Sequence, residues 1–138
     1  MAVEKRYEIS FMFRRVLVPV DGSENSYKAL ELALDFALRY GSKIDVIYVS
    51  REGEEDLGIR GEVIKRASER RVQISFIHKK YDPNTSSVST EILKTLIEGG
   101  YDAVVLGARG KSINEDLNLG SVALSIVINA PANIVIVR

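Results

Sequence analysis

Apolar and polar positions along this 138-residue chain switch repeatedly between a strand period and a helix period. "VLVPV" at 16–20 is an unbroken, mostly β-branched run, the pattern of a strand buried on both faces, and Pro19 near its end limits how far its ladder extends. From Ser23 the spacing turns helical, with Leu30, Ala33, Leu34, Ala37 and Leu38 on one face; Ser23 reads as the N-cap and Gly41 as the C′ residue of a helix over 24–40. "KIDVIYVS" at 43–50 predicts a second strand. A charged loop with Gly53 and Gly58 follows, and Val63, Ile64 and Ala67 predict a short inward-facing helix over 61–71. "VQISFIH" at 72–78 sets Val72, Ile74 and Phe76 against Gln73 and Ser75, the alternation of an edge strand with one solvated face.

Residues 81–87 are dense in turn formers, and Ser86 or Ser87 caps a third helix carrying Val88, Ile92, Leu93 and Leu96, stopped by Gly99 and Gly100. "DAVVLGA" at 102–108 predicts a fourth strand. "VALSIVINA" predicts a fourth helix closed by Ala130 and Pro131, and "NIVIV" at 133–137 a fifth strand. Strand-length runs alternating with helix-length stretches define an α/β protein with a parallel sheet covered on both faces. The length fits one domain, read as 13–138 behind an N-terminal extension of 1–12, with Met12 an alternative start. The apolar run Phe11 to Phe13 is too short for the core of a signal peptide.

Charge narrows the partners. Nineteen basic and nineteen acidic residues leave no net charge, so the electrostatic footprint of nucleic-acid binding is missing. There is no cysteine and no apolar stretch of membrane-spanning length, so a cytoplasmic protein with no membrane partner is expected.

The chemistry concentrates after the fourth strand, in "LGARGKSINEDLNLGS" at 106–121. Gly107 stands at the strand's carboxyl end, Gly110 three residues on, and Gly120 and Ser121 at a predicted helix start. Two readings compete. The glycines end a strand and open a helix, or they let a phosphate approach a helix N-terminus, where Ser121 and the N–H groups of Gly120, Ser121 and Val122 donate to it. Asp21 has a similar pair of readings: an N-terminal helix cap, or a carboxylate that takes ribose hydroxyls or a divalent ion. Arg109 and Lys111 are placed to offset phosphate charge. His78, the single histidine, reads as structural, and no nucleophile-base pair, P-loop lysine or zinc cluster is present, so neither a catalytic nor a metal residue is assigned.

The spacing G-x2-G-x9-G-[ST], here Gly107, Gly110, Gly120 and Ser121, resembles the nucleotide-binding signature of the universal stress protein family. "VLVPVDGSENSYKALELAL", "DAVVLGARG" and "GSVALSIVINAPANIVIVR" extend the resemblance over about 13–138. It implies a Rossmann-like domain with sheet order 3-2-1-4-5 and ATP, with or without Mg²⁺, lying across strands one and four. Pro19, Val20, Asp21 and Val49 then fall at the adenine and ribose end. Leu106, Gly107, Arg109, Gly110, Lys111, Ser112, Gly120, Ser121 and Val122 surround the phosphates. The resemblance also implies a homodimer through 133–137 and a nucleotide-dependent regulator in stress response, with slow ATP hydrolysis at most. Asn114, Glu115 and Asp116 depart from the family's small or basic loop residues, and two carboxylates there would repel a triphosphate. That departure supports the alternative, a dimeric interaction module of the same fold that binds no nucleotide. The segment at 81–93 is also longer than the family pattern.

Overall fold

A computed structural model of the chain describes residues 11–54, 58–110 and 119–138. A 3₁₀ turn at Phe11–Phe13 leads into β1 (Arg15–Val20), followed by α1 (Glu24–Tyr40), β2 (Lys43–Arg51), α2 (Ile59–Glu69), β3 (Ile74–Tyr81), α3 (Val88–Gly99), β4 (Ala103–Gly107), α4 (Ser121–Asn129) and β5 (Asn133–Val137). The five strands form one parallel sheet in the order β3-β2-β1-β4-β5, as the resemblance implied.

Each strand sends alternate side chains to opposite faces, and this divides the core in two. Val16, Val18, Val46 and Tyr48 pack with α1 and α2, while Leu17, Ile47, Val49 and Leu106 pack with α3 and α4. Serines fix where two helices begin. Ser23 Oγ accepts from the Ser26 N–H at 3.1 Å to start α1, and Ser87 Oγ accepts from the Thr90 N–H at 3.2 Å to start α3. Gly41, with φ 69°, ends α1 in the left-handed conformation that favours glycine.

Several expected boundaries and faces shift. β3 runs from Ile74 to Tyr81 instead of 72–78, because its ladder with β2 carries on to Arg51↔Tyr81. His78 therefore lies within the strand, not at its end. Leu38 is 53% exposed although the spacing put it inward, because the last turn of α1 instead packs Phe36 and Tyr40 around Phe13. Ile64 is likewise outward, since α2 buries the stripe Ile59, Val63 and Ala67, spaced four residues apart. Among the described residues no helix is long and apolar enough to cross a membrane.

Below the amino ends of the strands, Tyr101 donates its hydroxyl to Asp45 Oδ2 at 2.6 Å, with the Arg15 guanidinium 4.8 Å from its ring centre. Burial, and then the Asp45 carboxylate, push the Tyr101 phenol well above its ordinary range.

Candidate functional site

The ladder between β1 and β4 stops at Leu17↔Val104, whereas that between β1 and β2 continues to Val20↔Tyr48. Pro19 offers no N–H to prolong it. The carboxyl ends of β1 and β4 therefore part where the chain's winding reverses, the place where open α/β sheets take ligands. A cleft of about 200 Å³ opens there. Pro19, Val20 and Asp21 line it from β1 and its exit, Val49 from β2, Leu106 and Gly107 from β4, Arg109 and Gly110 from the following turn, and Gly120, Ser121 and Val122 from the start of α4. Lys111 and Ser112, like Asn114, Glu115 and Asp116, lie outside the described residues.

Three serine and aspartate side chains build the β1–α1 turn. The Ser23 N–H donates to Asp21 Oδ1 at 2.9 Å, and the Ser26 hydroxyl donates to the Ser23 carbonyl at 2.8 Å. Ser23 is thus the cap of α1, and Asp21 holds the turn before it. Its other oxygen, Oδ2, lies against Gly110, where an added Cβ would come within 2.4 Å of it. Gly110 is small because Asp21 needs the space.

Gly107 has a different neighbour. A Cβ there would meet Asn25 Oδ1 at 2.8 Å and the Asn25 carbonyl carbon at 3.0 Å. Asn25, in the first turn of α1, accepts from the Arg109 N–H at 2.7 Å and donates through Nδ2 to the Val137 carbonyl at 3.0 Å. Gly120 differs from both. Its φ of −69° is open to any residue, and among the described residues a Cβ would find its nearest neighbours at 3.6 Å. Its N–H donates to the Ala108 carbonyl at 2.7 Å, so that donor is engaged within the chain while the residue itself lines the cleft. The Ser121 and Val122 N–H groups stand in the first turn of α4, which no side chain of its N-cap residue satisfies.

Sequence reasoning missed Asn25, whose two partners stand 84 and 112 residues away. It also missed Ile47, Val88 and Ile92, which line the cleft from β2 and α3. Val88 and Ile92 were legible only as the buried stripe of a helix. Beside them, the Ser86 hydroxyl donates to Glu91 at 2.5 Å and, with Lys94 nearby, holds that carboxyl below its usual range against the effect of burial. His78 bonds Ser50 Oγ through Nε2 at 2.7 Å and stacks on Tyr48, which packs with α1 and α2, on the sheet face opposite the cleft. Among the described residues no group of three or more His, Cys, Asp or Glu side chains is placed to hold a metal ion.

A five-stranded parallel sheet wound in both directions from β1, with a cleft where its central strands diverge, defines a Rossmann-like α/β domain. The family model described as "Universal stress protein family" matches residues 12–138, and the chain belongs to that family. It is 28% identical over 153 residues to universal stress protein YxiE of Bacillus subtilis, an alignment covering 92% of this chain and 100% of the relative. Its fold is similar to that of a universal stress protein solved in complex with cAMP, with a TM-score of 0.69 at 22% identity and coverage of 91% and 96%. It is also similar to the universal stress protein from Archaeoglobus fulgidus in complex with dAMP, with a TM-score of 0.60 at 16% identity and coverage of 93% and 100%.

Proposed function

We propose that the cleft binds an adenine nucleotide, ATP with or without Mg²⁺, and that its occupancy makes this universal stress protein a nucleotide-dependent regulator in stress response. The observation that carries the reading is Gly120. Its φ of −69° does not require glycine, and among the described residues an added Cβ would make only ordinary contact, at 3.6 Å or more, so the first turn of α4 is free of a glycine-specific packing role and can lie beside a ligand. A helix start favours an anion, and Ser121, Val122 and Arg109 supply donors around it. The apolar side chains of Val49, Val88 and Ile92 suit the flat face of a base. The cAMP and dAMP complexes of similar proteins support the same class of ligand.

Homodimerisation through β5 belongs to the proposal. The exposed positions of the opposite edge strand include His78 and Lys80, whereas β5, Asn133–Val137, has no charged residue to discourage pairing. One observation favours the second reading, an interaction module without nucleotide. The Asp21 carboxylate touches Gly110, and a phosphate about 4 Å from it would be repelled by about 4 kcal/mol at an effective dielectric of 20 unless a cation intervened.

Calorimetric titration with ATP, with and without Mg²⁺, tests the choice, alongside Gly120→Val, which adds bulk to the cleft at a position where a Cβ would meet described residues no closer than 3.6 Å. Micromolar binding that Gly120→Val loses is the expected result. Absence of heat in either buffer would overturn the nucleotide reading and leave the surface and the dimer as the working parts.

A further inference from the structure

Asn25 joins two places that the chain otherwise keeps apart. Its Oδ1 holds the backbone at Arg109, where the cleft's glycine turn begins, and its Nδ2 holds the carbonyl of Val137 at the end of β5. The same Val137 carbonyl accepts from the Ala108 N–H at 2.7 Å, and the Ala108 carbonyl accepts from Gly120 at the start of α4. Three hydrogen bonds thus close a circuit from α1 through the cleft turn to the end of the edge strand, and a fourth, from Gly120 to Ala108, branches from it to α4. Gly107 has no side chain at the point where Asn25 crosses it.

We propose that Asn25 is a positioning residue that couples occupancy of the cleft to the ordering of the β5 edge, an inference that rests on the nucleotide reading above. One planar amide cannot shift its oxygen toward a rearranged Arg109 backbone without moving its nitrogen at Val137. A ligand that settles the turn at Arg109 and Gly110 therefore settles the end of β5 as well. By reciprocity, pairing along β5 tightens nucleotide binding by the same factor.

Hydrogen exchange on the full chain, at zero and saturating MgATP, reads this directly at the amides of 133–137. In the wild type, ATP is expected to slow exchange there by about fivefold or more, the lower end of ordinary coupling between sites. Asn25→Asp retains an acceptor for the Arg109 N–H and loses the donor to Val137. It is expected to weaken ATP binding severalfold and, once saturated, to show no change at β5. Asn25→Ala, which loses both bonds, gives a second uncoupled chain should the aspartate fold poorly. A purely structural role would alter exchange equally with and without ATP. Wild-type binding by calorimetry with unchanged exchange at β5 overturns the coupling alone, as does an ATP response that survives both substitutions. Absence of wild-type binding overturns the nucleotide reading and the coupling together.

Discussion

Gly107→Ala and Gly120→Ala separate the two reasons a chain keeps glycine. At Gly107 the new methyl would sit 2.8 Å from Asn25 Oδ1 and 3.0 Å from the Asn25 carbonyl carbon, where ordinary contact begins near 3.4 Å. The second neighbour is backbone inside the first turn of α1, so the methyl cannot be accommodated by a side-chain rotation alone. Overpacking of this kind costs about 1–3 kcal/mol, and a displaced Asn25 amide forfeits about 1 kcal/mol for each hydrogen bond broken. The lower entropy of the unfolded alanine chain returns about 0.4–1 kcal/mol. The net expectation is a loss of about 2 kcal/mol. Unfolding entropy of about 2.1 cal/mol/K per residue over the 138 residues gives about 0.29 kcal/mol/K, so the melting temperature falls by about 7 °C. At Gly120 the methyl meets none of the described residues closer than 3.6 Å, and the modest cost of alanine at an N-cap is offset by the same entropy gain, leaving a change within about 0.5 kcal/mol. Urea unfolding and scanning calorimetry of the nucleotide-free proteins measure both. A Gly107→Ala protein as stable as the wild type, or a Gly120→Ala protein that loses as much as its partner, would refute the reasoning.

Further outcomes follow from the edge and from two ionisable groups. The Asn133 N–H and the Val137 carbonyl bond toward β4, so by the period of two the N–H of Ile134 faces outward. Ile134→Pro should leave the β4 ladder intact and yield a monomer by light scattering, whereas Val135→Pro breaks a ladder bond and unfolds more easily; a dimeric Ile134→Pro protein would exclude β5 as the pairing edge. Glu91 has a folded pKa below its unfolded value, so its contribution is complete above the unfolded pKa and disappears as pH falls through the folded one. Glu91→Gln should therefore cost about 1 kcal/mol at pH 7 and nothing at pH 2 in urea titrations. The raised pKa of Tyr101 has the opposite sense, with stability lost as pH climbs past the unfolded tyrosine value. Tyr101→Phe should remove a phenol that ionises above the ordinary tyrosine range from an alkaline absorbance titration and destabilise the fold at pH 7 by about 1 kcal/mol.

The hydrophobic pattern carried the fold because each strand of a doubly covered sheet must be apolar on both faces, and runs such as Val16–Val20 admit no other reading. It failed at helix ends. Leu38 and Ile64 obey a helical period yet face outward, because the local neighbour, the Phe13 cluster in one case and the Ile59–Val63–Ala67 stripe in the other, chooses which face is buried. The glycine spacing located the cleft, but not why each glycine is there: Gly107 and Gly110 give way to Asn25 and Asp21 of the same chain, whereas a Cβ at Gly120 would make only ordinary contact with the described residues. Asn25 could not be read from "DGSEN", where an asparagine in a helix's first turn looks like any capping-region residue and its partners belong to the other half of the chain.

If the proposed pairing through β5 holds, the unlike edges of the sheet also set a stoichiometry. A second copy joining at β5 occupies the uncharged edge of both molecules at once, and the margins then left outward are the two β3 strands with His78 and Lys80 exposed. Such a two-fold contact would close on itself, so growth would stop at two chains, and two five-stranded sheets would join into one terminated ten-stranded unit.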